Sequence, residues 1–263
     1  MKAVVTGASG TVGRALVAYL TSKNVQVIAW DRNQTSIEDY SIMETFLSEV
    51  SPDVVYHLAV PSKSSGIENE AWLVNYHWSS EIAWITRILS IKFVYVSTVM
   101  VFSNDHNGPF TVDSMPDAPS GYGYDKRIAE KRVFHQNPDA FVVRLGWQIG
   151  DAPGSNNMID YFAKQMKLHG EVRASKKWLP SCSFLGDTAI ALGEITKETN
   201  GLYLINSNYR WNYFQIASAL NERHGNLWKI TATDDFDYDQ RMVDARVKLP
   251  KLEESLPELN HYE

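Results

Sequence analysis

The segment that most restricts the fold lies at the amino-terminal end. A short apolar run, residues 2–6 (KAVVT), passes without a spacer into Gly7-Ala8-Ser9-Gly10-Thr11-Val12-Gly13, and then into apolar residues at helical spacing. In a strand–turn–helix of this kind the early glycines let the backbone turn tightly and approach a pyrophosphate. The last glycine lets helix and strand pack closely, and the phosphates rest against the positive helix end. A lone G-x-x-G-x-x-G is a weak signal, because glycines also mark ordinary turns; the strand before it and the helix after it give it meaning. The turn therefore predicts a dinucleotide site built from Gly7, Ser9, Gly10, Thr11, Val12 and Gly13.

The following residues repeat the alternation. Runs 25–30 (VQVIAW), 54–58 (VVYHL), 92–97 (KFVYVS) and 140–145 (AFVVRL) read as strands rich in β-branched and aromatic residues. Between them, 12–22, 42–50, 72–89 and 124–136 carry apolar residues three and four apart, the helical spacing. Strands separated by helices imply right-handed crossovers and a parallel sheet covered on both faces, and such strands are expected to be almost continuously apolar, as these are. The fold class is thus α/β, a doubly wound parallel sheet of the Rossmann type. After Gly146 the pattern loosens: 151–157 (DAPGSNN) is turn-forming, and helices are predicted at 158–168, 187–196 and 213–223, a strand at 201–205, and a short helix and tail over 253–263. This predicts a dinucleotide-binding domain over 1–146 and a smaller C-terminal α/β substrate lobe over 147–263, partly intertwined with the first.

Composition excludes several classes. A single cysteine, Cys182, rules out an internal disulfide framework, and 31 acidic against 25 basic residues argue against a nucleic-acid coat or a basic membrane binder. No apolar run approaches the roughly 18 residues needed to span a bilayer, and no secretory signal precedes the first strand. The expectation is a soluble cytoplasmic protein with no nucleic-acid or membrane partner. The seven histidines form no metal-ligand spacing, so no metal site is expected. Trp72, Trp78 and Trp84 lie on one predicted helix and read as core or subunit interface.

Two features carry chemistry. At the end of the second strand stand Asp31, which can accept both ribose hydroxyls of NAD, and Arg32, which can welcome the 2′-phosphate of NADP; the residues leave NADH against NADPH open. The fourth strand ends in Ser97-Thr98, at the carboxyl edge where open α/β sheets bind ligands. Tyr122 follows, with Lys126 four residues later on the same helix face. A phenol near pKa 10 exchanges protons poorly near neutrality, and an adjacent ammonium favours its ionised form. Thr98 can hydrogen-bond the same oxygen, so Thr98, Tyr122 and Lys126 make a candidate proton-donating site. The second Tyr-x-x-x-Lys, Tyr19 to Lys23, lacks such a setting and reads as helix packing and surface charge.

Together these residues resemble the extended short-chain dehydrogenase/reductases that act on nucleotide sugars, most nearly the dTDP-4-dehydrorhamnose reductase family, over almost the whole chain. Residues 7–13 are similar to its cofactor turn, and Asp39-Tyr40 to the acidic pair that reaches the adenine. His57-Leu58-Ala59 is similar to the strand end beside the cofactor, where Leu58 and Ala59 would line it. Asn75 matches an asparagine that holds a water linked to the catalytic lysine. Residues 96–102 (VSTVMVF) are similar to S-T-D-Y-V-F, Tyr122-Gly123-Tyr124-Asp125-Lys126 to Y-G-x-x-K, and Arg144-Leu145-Gly146-Trp147 to R-T-S-W. By that match Trp147, Asn157 and Arg241 would face the substrate. The resemblance implies NADPH or NADH as cofactor, held also by Tyr122 and by Lys126, which would orient its ribose, together with a nucleotide-sugar substrate and a homodimer. Val99 and Met100 replace the aspartate and tyrosine of the motif, and Met242 the proline after Arg241. Related dehydratases need an acidic pair where Val99 and Met100 stand, and epimerase-reductases a cysteine at Met100. Two alternatives stay open: a nucleotide-sugar epimerase with the same triad, and a non-catalytic NADP-binding regulatory subunit.

Overall fold

The computed structural model describes residues 1–61 and 68–262; Glu263, the last residue of the predicted tail, lies outside them. By its internal contacts the chain forms two compact units. One comprises Met1–Ser103, Met115–Arg144 and Ala189–Tyr203; the other comprises Asn104–Ser114, Leu145–Thr188 and Leu204–Glu263.

The first unit is built on strands β1 (Lys2–Thr6), β2 (Gln26–Ala29), β3 (Val54–His57), β4 (Lys92–Thr98), β5 (Phe141–Leu145) and, much later in the chain, β10 (Gly201–Ile205). They form one sheet in the order β10-β5-β4-β3-β1-β2, with β1 parallel to β2 and β3, and β3 parallel to β4. The strand order reverses between β1 and β3, which makes their carboxyl ends the switch point where such sheets take ligands. Register brings three residues into one row across the sheet: Thr6 lies beside His57, and His57 beside Tyr95. Val54, Val55, Tyr56 and His57 are all buried, as expected of a strand covered on both faces.

Helices α1 (Thr11–Ser22), α2 (Tyr40–Val50) and α5 (Gly121–Gln136) match the predicted periodicities. Helix α2 begins where it does because the Asp39 carboxylate accepts hydrogen bonds from the Ser41 and Ile42 amides, a helix cap. The long helix predicted over 72–89 is interrupted. It starts as α3 (Glu70–Trp72), widens into a π-helical turn (Leu73–His77), and resumes as α4 (Trp78–Ile88). Of its three tryptophans only Trp78 enters the core; Trp72, stacked on Tyr76 at 4.2 Å, and Trp84 are exposed.

The second unit holds β6 (Trp147–Ile149), α6 (Met158–His169), β7 (Val172–Ser175), β8 (Trp178–Leu179), β9 (Cys182–Phe184), α8 (Tyr213–Arg223), β11 (Ile230–Thr233), β12 (Tyr238–Asp239) and α9 (Leu252–Ser255). Helix α7 (Leu185–Glu194) runs from this unit into the first. The strands pair two by two, β6 with β9, β7 with β11 and β8 with β12, each pair parallel. These segments of two to four residues were not anticipated from the sequence, since none is long enough to show an alternation. Two buried amides pin the loops between them. Asn206 accepts from the Cys182 and Asn208 amides and donates to the Asn208 and Met242 carbonyls. Asn208 donates to the Pro180 and Trp211 carbonyls. Cys182 is packed into this unit's core, where burial pushes its thiol up.

Among the described residues, no helix is long and apolar enough to cross a membrane. No group of three or more His, Cys, Asp or Glu among them is arranged to hold a metal ion.

Candidate active site

The glycine turn has the shape that close approach demands. Gly7 lies at positive φ, and a Cβ there would stand 2.9 Å from the Ala59 amide nitrogen, across the switch point. A Cβ on Gly13 would stand 2.1 Å from the Gly7 carbonyl oxygen. Helix α1 begins just after Gly10 with no side-chain cap among the described residues, and Ser9 and Gly10 are exposed. An open helix end with positive partial charge, on a turn no side chain can fill, fits a diphosphate. Leu58 and Ala59 donate their amides to Thr6 Oγ1 at 3.1 and 3.2 Å, fixing the strand end opposite the turn. Asp39, expected to reach the adenine, spends one carboxylate oxygen on the α2 cap, and the Tyr40 hydroxyl donates to Glu44.

At the end of β4, Thr98 Oγ1 accepts from the Met100 amide at 3.2 Å, capping a 3₁₀ turn at Val99–Val101. The hydroxyl keeps its proton for another acceptor. Helix α5 reaches this turn through Gly123, where a Cβ would stand only 2.0 Å from the Met100 carbonyl oxygen. The Y-G-x-x-K pattern therefore has a packing reason: the glycine brings the helix carrying Tyr122 and Lys126 against the strand end carrying Thr98. Val99 is buried, whereas Met100 is 51% exposed.

Lys126 is 1% exposed, with its ammonium 4.2 Å from the centre of the Tyr95 ring. Burial pushes it down to about 7, against a smaller opposing pull from Glu130. Glu130 is itself clasped by Arg144 through two buried bonds of 2.9 and 2.7 Å. The expected lowering of Tyr122 by Lys126 is not what the chain by itself produces. Loss of solvent around the phenol pushes it up to about 12. Desolvation disfavours the charged form of each group. The phenol is therefore protonated at neutral pH, the form a proton donor requires.

Asn75 sits on the π-helical turn, a distortion often found at functional sites. Its Nδ2 donates to Asp125 at 3.5 Å, while its Oδ1, like Ser97 Oγ, is buried without a partner among the described residues. Its carbonyl accepts from the Ser79 and Tyr95 hydroxyls. The row across the sheet explains this arrangement. Thr6 Oγ1 already accepts two amides, so its proton goes to His57 Nδ1 at 2.9 Å, and His57 Nε2–H donates to Ser79 Oγ at 3.0 Å. Burial and the Lys126 charge hold His57 well below the usual histidine range, keeping it neutral. Thr6, Ser79 and Tyr95 carry no site motif in the sequence, and His57 enters there only as part of the strand end beside the cofactor. Thr6 and His57 stand at the ends of apolar strands, Tyr95 lies within β4 and Ser79 on α4, and only strand register brings Thr6, His57 and Tyr95 into line.

In the second unit Trp147 stacks on Trp178 at 5.8 Å and meets Tyr161 and Tyr213 edgewise or tilted, at 5.2 and 5.6 Å. The other two expected substrate residues have their polar groups engaged within the chain. Asn157 is buried, caps α6 by accepting from the Asp160 amide, and donates to Ala152 and Ser155. Arg241 makes a two-pronged pair with Asp239 at 2.9 and 2.7 Å and donates to the Tyr209 carbonyl. The Tyr19–Lys23 copy has the Tyr19 hydroxyl on Glu194 and the ammonium over the ring, in line with helix packing and surface charge.

A family model described as "RmlD substrate binding domain" matches residues 1–238. The spore coat polysaccharide biosynthesis protein SpsK of Bacillus subtilis is 25% identical over 227 residues, covering 85% of this chain and 80% of that protein. A dTDP-4-dehydrorhamnose reductase of Mycolicibacterium smegmatis is 29% identical over 199 residues, covering 73% of this chain and 59% of that enzyme. The crystal structure of the dTDP-4-dehydrorhamnose reductase of Bacillus anthracis in complex with NADP superposes with a TM-score of 0.81 at 19% identity, covering 100% of this chain and 99% of that one.

Proposed function

The chain belongs to the RmlD substrate binding domain family, and from that premise we propose that it is a soluble, cytoplasmic NAD(P)H-dependent reductase of a keto group on a nucleotide-activated deoxysugar. The observation that carries this reading is the Gly123 contact, which presses the helix bearing Tyr122 and Lys126 onto the turn capped by Thr98. The cofactor's fit rests on the glycine cradle, which a Cβ would fill, and on Ser97 Oγ and Asn75 Oδ1, buried without a partner among the described residues. A bound reduced nicotinamide would supply the hydride to the carbonyl carbon. The Tyr122 O–H donates its proton to the carbonyl oxygen. Thr98, with one lone pair occupied by the Met100 amide, turns its own O–H toward the same oxygen and fixes its position. Lys126 favours the phenolate that forms as that proton leaves, and Asn75 holds the lysine's surroundings in place. By the resemblance Trp147, Asn157 and Arg241 are the candidate substrate contacts, Trp147 through the aromatic face it shares with Trp178, Tyr161 and Tyr213. A homodimer, as the resemblance implies, is measurable by light scattering.

A screen of 4-keto-6-deoxy nucleotide sugars with NADH and NADPH tests the reading, and Tyr122→Phe is its sharpest variant. That change keeps the ring and removes the proton donor, so turnover falls by about 10²–10⁴, the scale of general-acid catalysis. Near-normal turnover in that variant overturns the assignment. An epimerase would need no added cofactor, and a regulatory subunit would bind cofactor without oxidising it against any sugar.

A further inference from the structure

The order Asp31-Arg32 leaves the choice between NADH and NADPH open, because the acid suits a ribose diol and the base suits a 2′-phosphate. In the folded chain the two side chains have separate engagements. Asp31 is exposed, with Oδ1 accepting from the Asn33 amide at 2.9 Å. Its second oxygen and its full charge stay at the end of β2. Arg32 instead reaches Glu70, Nη1 to Oε1 at 3.2 Å. The pair is asymmetric: the Arg32 side chain is 43% exposed, while that of Glu70 is 7% exposed. Glu70 also occupies the first turn of the helical segment that begins at α3, where the positive helix end favours a carboxylate.

Glu70 is thus a fixed, buried negative charge that draws off and cancels the one cation adjoining Asp31 in the sequence. A ribose diol would need only Asp31, which is accessible. A 2′-phosphate would meet Asp31 with Arg32 already committed. We propose that Glu70, by holding Arg32, determines cofactor choice and makes this chain prefer NADH over NADPH. The inference rests on the dinucleotide reading above and adds to it a residue outside both the glycine turn and the strand end.

The test is binding to the full chain without substrate, followed by the fluorescence of the reduced nicotinamide, so that no turnover is needed. The wild-type chain binds NADH more tightly than NADPH by on the order of tenfold, which corresponds to about 1.4 kcal/mol. Glu70→Gln releases Arg32 and tightens NADPH by about tenfold while NADH changes by less than about twofold. Adding Arg32→Ala to that variant cancels the gain. A wild-type preference for NADPH, or an unchanged NADPH-to-NADH ratio in a folded Glu70→Gln chain, overturns the proposal. Should Glu70→Gln not fold, Asp31→Ala decides: it weakens NADH and erases the preference, and an unchanged ratio again overturns it. Failure of either cofactor to bind the wild-type chain overturns the dinucleotide reading itself, which separates the two failures.

Discussion

Substituting Gly123 by alanine adds a single methyl group where the backbone of α5 meets the carbonyl oxygen of Met100. The new Cβ would stand 2.0 Å from that oxygen, about 1.4 Å short of ordinary contact at 3.4 Å. The obstacle is backbone, part of the turn that Thr98 caps, so it cannot swing aside as a flexible side chain would. The helix has to back away by on the order of 1 Å, carrying Tyr122 and Lys126 with it. Overpacking of this kind costs typically about 1–3 kcal/mol of stability. A displacement of about 1 Å in a catalytic group costs on the order of 10²-fold in rate. Steady-state turnover and urea unfolding of Gly123→Ala measure the two effects separately. We expect kcat to fall by about 10²-fold in a variant that remains folded. A folded variant with kcat within about threefold of wild type would show that the helix-to-turn contact does not position the proton donor.

The other predictions concern buried charge. Lys126 has its folded pKa lowered from 10.5 to about 7, so between those values the unfolded chain holds a proton that the folded chain does not. Stability must then rise with pH across that window by up to roughly 1.4 kcal/mol per pH unit, and the penalty is fullest below about pH 7. Lys126→Met removes this slope and stabilises the fold most at the acidic end; urea midpoints from about pH 6 to about pH 9 check it, and identical slopes in both proteins would contradict it. Arg144→Met strips the buried Glu130 carboxylate of its two-pronged partner and should cost about 3–5 kcal/mol. A loss below about 1 kcal/mol, by denaturant unfolding, would mean that this pair contributes little to the fold.

What could be read from the residues alone follows from the range of the forces involved. Local and periodic signals carried the first unit. The run from β1 into the glycine turn, the apolar strands and the helices fell within a few residues of their predicted ends, because each is encoded by its own pattern. Short strands such as Trp178–Leu179 have no periodicity to display and exist through pairing with distant partners. The same limit governed the site. Tyr122, Lys126 and Thr98 could be named from spacing, but the Thr6–His57–Tyr95 row depends on strand register, and the Arg32–Glu70 pair joins residues 38 positions apart. Asn157, a substrate residue by its motif, also caps α6, a local role that the motif does not announce. Expectations about charge also shifted, because burial acts on Tyr122 and Lys126 more strongly than their sequence proximity suggests.

The central claim, net reduction of a sugar carbonyl, is tested most directly by following isotope from the cofactor. A reduced cofactor carrying deuterium at nicotinamide C4 is incubated with the chain and a 4-keto-6-deoxy nucleotide sugar, and the product is analysed by mass spectrometry and NMR. One deuterium is expected on the carbon that becomes the alcohol, with one cofactor oxidised per product formed, and both signals fall with turnover in Tyr122→Phe. Sugar product without deuterium and without net cofactor oxidation would contradict it and identify internal hydride return, the signature of an epimerase.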